Sequence, residues 1–244
     1  MMKFSVLYDP DKPYLTERMF VESVKNKELV EKVCDFWVGG TKSSFNDISF
    51  WLKKLKEKGF EERFLFPARP LHVFSGKYAK YILRPELLNI TSSIKSPLAH
   101  LYTKVGKIAT EILYSIGPPF MLDFGYLILS PESSVGNFTG AARICDEDAL
   151  EKIKKYLEKN KKFHGVYIEA GSGAKMSVTE RIKLLEKTRE IVPENKTVYS
   201  GGGISKVDEV LLLLDLGIHP VMSTHFERNP KDIYNFAKEV YKRV

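Results

Sequence analysis

Short apolar runs, several with alternating polar positions, recur along the chain, and stretches of helical period separate them. The runs are Lys3–Tyr8, Asp35–Val38, Arg63–Phe66, Lys80–Leu83, Phe120–Leu129, Gly165–Glu169, Thr197–Ser200 and Pro220–Met222. Each reads as a strand. Between them the period lengthens. Asn46–Lys58 places Ile48, Trp51, Leu52 and Leu55 on one face, with most of its lysines elsewhere. Pro97–Leu113, Asp146–Lys159, Val178–Ile191, Lys206–Leu216 and Pro230–Arg243 follow the same rule, and Asp146 opens its segment with acidic residues suited to a first helical turn. The connection Pro67–Gly76 differs: two prolines and a glycine leave little room for a regular helix. Eight strands alternating with helices predict one closed (β/α)₈ TIM barrel over 1–244, modified by an irregular crossover in place of the third helix.

Length and composition fit that reading. The chain has 244 residues, 43% hydrophobic and 28% charged, enough for one large core. No apolar run reaches the roughly 20 residues of a membrane span, and the first residues show no signal-peptide pattern. A cytoplasmic location is expected. Cys34 and Cys145 lie far apart in sequence and outside any metal-ligand spacing, so they read as reduced core thiols. The formal net charge is +7. Much of it sits in lysine-rich helical stretches, which read first as solvated faces. Such a surface also allows transient contact with anionic lipid headgroups. Nothing supports nucleic-acid binding.

The chemistry concentrates where strands end. Gly165–Ala174 and Thr197–Ile204 are apolar runs that stop at glycines and pass into helices. Turns of this kind let backbone N–H groups close on an anion at a helix N-terminus. Together with Ser223 and Thr224 after the eighth strand, Gly171-Ser172-Gly173 and Gly201-Gly202-Gly203 suggest a phosphate clamp on one rim of the barrel. Tyr167 and Glu169 alternate on one face of the sixth strand. If that face is the interior, Glu169 is placed to accept a proton from a substrate hydroxyl, with Tyr167 beside it as the second candidate catalytic residue. Asp9, at the end of the first strand, is either a Mg²⁺ ligand or part of an Asp-Pro turn capped by its own side chains. Thr41, after Gly39 and Gly40, either faces the same metal–diphosphate group or caps an ordinary turn. The five histidines show no metal spacing.

These motifs occur in one order: Asp9-Pro-Asp-Lys12, Gly39-Gly-Thr41, Leu87-Leu-Asn89, Gly125–Val135, Tyr167–Ala174, Tyr199–Ile204 and Ser223-Thr224 with Glu227. In this they resemble the geranylgeranylglyceryl phosphate synthase family, which includes heptaprenylglyceryl phosphate synthases, and within it the larger archaeal branch. The resemblance implies a Mg²⁺-dependent prenyltransferase of ether-lipid biosynthesis. Its substrates would be geranylgeranyl diphosphate and the 3-hydroxyl of sn-glycerol 1-phosphate, and it would act as a homo-oligomer. It further implies that Asp9 and Thr41 hold Mg²⁺. Tyr167, Ile168, Glu169, Ala170, Gly171, Ser172 and Gly173 would bind glycerol phosphate, together with Gly202, Gly203, Ser223 and Thr224. Ser223 departs from the glycine usual in the family's last phosphate loop. That departure, with the short first strand, keeps open a phosphate-binding barrel without turnover; a barrel enzyme acting on a small sugar phosphate, which would share the clamp, is the other reading.

Overall fold

Eight parallel strands pair in chain order and close on themselves. In the computed structural model, which describes residues 3–40, 42–89, 95–114, 119–129, 132, 136–137, 141, 147–170 and 177–243, they are β1 (Phe4–Tyr8), β2 (Cys34–Val38), β3 (Arg63–Leu65), β4 (Tyr81–Leu87), β5 (Phe120–Ile128), β6 (Gly165–Glu169), β7 (Thr197–Gly201) and β8 (Ile218–Met222). The seam is the β1–β8 pair, with Ser5 opposite Val221 and Val6 opposite Met222. This is the (β/α)₈ barrel expected from the alternation of periods.

The helices are α1 (Pro13–Lys25), α2 (Lys27–Val33), α3 (Phe45–Glu57), α4 (Lys95–Leu113), α5 (Glu147–Lys159), α6 (Val178–Ile191), α7 (Val207–Asp215), α8 (Thr224–Arg228) and α9 (Asp232–Tyr241). Capping boxes start two of them: Ser44 with Asp47 for α3, and Ser177 with Glu180 for α6. Each satisfies two otherwise orphaned donors and fixes where the helix leaves its loop.

Strand alternation divides the core in two. On β2, Phe36 and Val38 point to the helical layer while Trp37 points into the bore; on β6, Val166 and Ile168 point out while Tyr167 points in. The bore is filled largely by aromatic rings. Trp37 lies between Phe64, Phe66, Tyr167 and Tyr199, with ring centroids 5.0–5.8 Å apart.

Between β3 and β4 the chain makes a 3₁₀ helix, Pro70–Tyr78, instead of an α-helix. His72 ties it to the barrel. Its Nε2 lies 3.0 Å from the Ser43 carbonyl, and the Ala68 N–H donates to Nδ1 at 3.3 Å. That pattern calls for a neutral ring, in agreement with burial pushing the His72 pKa down.

β4 runs four residues beyond its expected end, through Pro85. Its outward charges are paired: Arg84 with Asp123 at 2.7 Å, and Glu86 with Lys107 at 2.6 Å and Lys162 at 3.2 Å. Burial alone would raise the Glu86 pKa, but these cations and the Tyr156 hydroxyl hold it down to about 2.

Candidate active site

The ends of β6, β7 and β8 open into one cleft of about 350 Å³ at the C-terminal mouth of the barrel. Tyr167, Glu169, Gly202, Gly203, Ser223 and Thr224 all line it. Residues expected from three separate strand ends are thus brought together. Gly171, Ser172 and Gly173 lie outside the described residues, as does Thr41.

The three glycines after β7 do different work. Gly202 and Gly203 have φ of 101° and 70°, backbone that a side chain would strain. Gly201 is ordinary extended strand, but a Cβ there would collide with the Tyr167 hydroxyl. Gly201 is therefore a gap that admits a phenol, and the turn itself is built by the next two residues.

Two other expected contributors reach the cleft less directly. The Ile168 side chain packs outward in the helical layer. The Ala170 N–H is spent on the Gly201 carbonyl at 2.8 Å. Neither side chain faces the cleft, and the Ala170 amide is not offered to an anion.

Tyr167 is buried below the cleft and its hydroxyl bonds to Glu169. Burial first, and the Glu169 charge second, push its pKa well up. Tyr167 therefore stays protonated and donates to the carboxylate. The ring is held by Tyr126 at 5.2 Å, Phe66 at 5.1 Å and Trp37 at 5.8 Å. Glu169, the last residue of β6, stands on the same inner face of its strand at the rim, half-buried.

A second set of charges lies at the ends of β1, β2 and β8. The Asp9 carboxylate accepts from the Asp11 N–H at 3.0 Å. Asp11 accepts from the Lys42 N–H at 2.9 Å and from the Ser43 hydroxyl. A Cβ on Gly40 would lie 2.7 Å from Asp9 Oδ1 and 2.9 Å from Asp11 Oδ1. Gly40 thus lets two carboxylates crowd the turn after β2, which brings the β1 and β2 ends together. Burial raises the Asp9 pKa; the Asp11 N–H lowers it, and the Asp11 charge raises it again. Among the described residues no group of three or more His, Cys, Asp or Glu side chains could hold a metal ion.

Lys12 bridges this set to β8. Its Nζ lies 2.8 and 3.0 Å from the Glu227 oxygens and 3.6 Å from Asp9 Oδ2. Glu227 belongs to α8, the short helix after β8, in which Ser223 is the N-cap position and Thr224 the first residue. The Ser223 hydroxyl donates to Glu227 Oε1 at 2.6 Å, so it is directed at a carboxylate rather than at a phosphate position. The Thr224 side chain remains exposed at the mouth.

The sequence did not single out Arg181. It sits in the first part of α6, buried, with its guanidinium against the Gly202–Gly203 turn. A helical arginine carries no local mark of the long-range partner it will meet.

Eight parallel strands closed into one ring, with positive-φ glycines and a carboxylate gathered on the C-terminal rim, define a (β/α)₈ barrel whose cleft lies at that rim. The chain belongs to the PcrB family, whose family model matches residues 6–216. No curated protein matches the sequence. Among solved structures the fold is similar to wild-type GGGPS from Thermoplasma volcanium, at 20% identity and TM-score 0.74, covering 100% of this chain and 92% of that one. It is similar also to a mutant tryptophan synthase α-subunit from Pyrococcus furiosus, at 13% identity and TM-score 0.54, with 98% of each chain covered. Orotidine 5′-phosphate decarboxylase from Pyrococcus horikoshii OT3 shares the architecture at 11% identity and TM-score 0.53, again over 98% of each chain.

Proposed function

We propose that the protein is a prenyltransferase of the geranylgeranylglyceryl phosphate synthase type. It would join the prenyl group of geranylgeranyl diphosphate to the 3-hydroxyl of sn-glycerol 1-phosphate. The observation that carries this reading is the placement of Glu169 on the inner face of the barrel, at the rim of the cleft that the Gly202–Gly203 turn also lines. Membership of the PcrB family and the likeness to GGGPS support it.

The phosphate of the acceptor rests on the Gly202–Gly203 turn, which fixes the distance from phosphate to hydroxyl. The 3-hydroxyl then meets Glu169. As the hydroxyl oxygen bonds to C1 of the prenyl group, the C1–O bond to diphosphate breaks and its electron pair leaves with the diphosphate. The hydroxyl proton passes to Glu169. Tyr167 donates to the same carboxylate and holds its orientation, so that little reorganisation remains at the moment of transfer. A long tail gains about 0.8 kcal/mol for each CH₂ it buries.

The donors at the β1 and β2 ends suit Mg²⁺. Asp9 and Asp11 present oxygen ligands beside Gly40, and with Glu227 they carry more negative charge than Lys12 offsets. Asp9 is the proposed ligand, and the family resemblance adds Thr41, which lies outside the described residues. When bound, Mg²⁺ offsets the charge of the diphosphate leaving group.

The test is transfer of radiolabel from geranylgeranyl diphosphate to an organic-extractable product, with and without sn-glycerol 1-phosphate. Product that requires the acceptor supports the reading. Binding of glycerol phosphate with no product at any Mg²⁺ concentration overturns it in favour of a barrel that binds without turnover.

A further inference from the structure

Arg181 presents an unusual balance of charge and partners. The residue is 7% exposed. Its Nη1 lies 3.5 Å from the Gly202 carbonyl and stands where a Cβ on Gly203 would have to go. Its Nη2 is 3.5 Å from Glu209 Oε1, too long for a hydrogen bond of normal strength. Among the described residues, Nε and Nη2 have no hydrogen-bond partner. A guanidinium carries five donors, and leaving most of them unmet in a buried place is costly. Glu209, the nearest carboxylate, is itself partly engaged, since it accepts the Ser205 N–H at 2.9 Å.

Position explains the arrangement. Arg181 lies near the start of α6, the helix that follows β6 in sequence, and it leans on the glycine turn after β7. One cation therefore stands behind the turn whose other face lines the cleft.

We propose that Arg181 is a positioning residue for the phosphate-monoester substrate. It sets the Gly202–Gly203 turn in its anion-receiving shape, and it places a buried positive charge behind that turn. The inference rests on the phosphate-binding part of the function proposed above. Glu209 opposes it: by drawing off part of the guanidinium's field, Glu209 keeps phosphate affinity below what the turn could reach.

The experiment measures binding of inorganic phosphate and of sn-glycerol 1-phosphate by calorimetry, together with steady-state kinetics, in the full chain. Arg181→Met is expected to weaken both ligands at least tenfold. KM for glycerol phosphate should rise in step, with less than a threefold fall in kcat and no change in KM for the prenyl diphosphate. Arg181→Lys, which keeps the charge, should recover most of the affinity. Glu209→Gln still accepts the Ser205 N–H but removes the competing charge, and it should tighten phosphate binding about threefold. A merely structural role predicts loss in that variant too, so weaker binding by Glu209→Gln overturns the proposal. So does wild-type affinity in Arg181→Met. If Arg181→Met fails to fold, the lysine and glutamine variants decide. If the wild-type chain binds neither ligand, the proposed function falls together with this inference; if it binds both and Arg181→Met binds them equally, only the inference falls.

Discussion

The phenol oxygen of Tyr167 occupies the space in which a side chain on Gly201 would begin. The two residues sit on adjacent strands, and Gly201 is the register partner of Glu169. The gap left by one residue therefore fixes the hydroxyl that steadies the neighbouring carboxylate.

Gly201→Ala is expected to destabilise the fold by about 1–3 kcal/mol through overpacking, because its backbone is ordinary and only space is lacking. Removing the hydroxyl should restore that space. Denaturant unfolding of Gly201→Ala, Tyr167→Phe and the double variant would check this. The double variant should be more stable than Gly201→Ala alone, and simple additivity of the two losses would contradict the clash.

Glu169→Gln keeps the shape of the rim and removes the proton acceptor. Prenyl transfer should fall by roughly 10²–10⁴, the usual contribution of a positioned base, with the thermal midpoint little changed. Turnover near that of the wild type would exclude Glu169 from the chemistry.

Asp9→Asn should raise the Mg²⁺ concentration needed for half-maximal transfer by about tenfold or more, since a carboxylate is the stronger ligand for a hard cation. Chelation by EDTA should abolish transfer by the wild type, and added Mg²⁺ should restore it. Activity that survives exhaustive chelation would remove the metal from the reaction.

At the opposite end of the barrel, burial raises the Asp35 pKa to about 6, with Lys3 at 3.2 Å pulling it back down. The folded state thus holds this proton more tightly than the unfolded chain does. The ionised form costs stability at neutral pH, and that cost is relieved as pH falls through 6 towards 4. The full effect is on the order of 3 kcal/mol. Buried His72 and His219, whose pKa values are lowered, act with the opposite sign as the unfolded chain protonates near pH 6.5. The Asp35 contribution is therefore read as a difference: between pH 7.5 and pH 5 the wild type should gain stability relative to Asp35→Asn. Parallel pH profiles would refute it.

Much of this molecule was legible as pattern. Each strand was found to within a few residues because the period changes sharply at its ends. The proline-rich crossover announced a missing helix, and alternation placed Tyr167 and Glu169 on one face. What escaped depends on partners distant in sequence. α1 turns Thr16 and Ser23 inward along with Met19 and Phe20, which blurs its apolar stripe, and α2 has seven residues, too few to show a period. β4 was cut short because Pro85 and two charges read as a strand end, whereas those charges are met by Asp123, Lys107 and Lys162. At the site, three consecutive glycines look alike in sequence. Only the fold separates Gly201, which makes room for a ring, from Gly202 and Gly203, which bend the chain.

The ring-packed bore has one more consequence. With Trp37, Phe64, Phe66, Tyr126, Tyr167 and Tyr199 wedged together, the barrel is stoppered from within. Among the described residues, the cleft opens at the C-terminal mouth and rests on these packed rings. New substrate preferences can then arise by exchanging the surrounding loops while this foundation stays as it is, which makes the scaffold a practical host for transplanted rims.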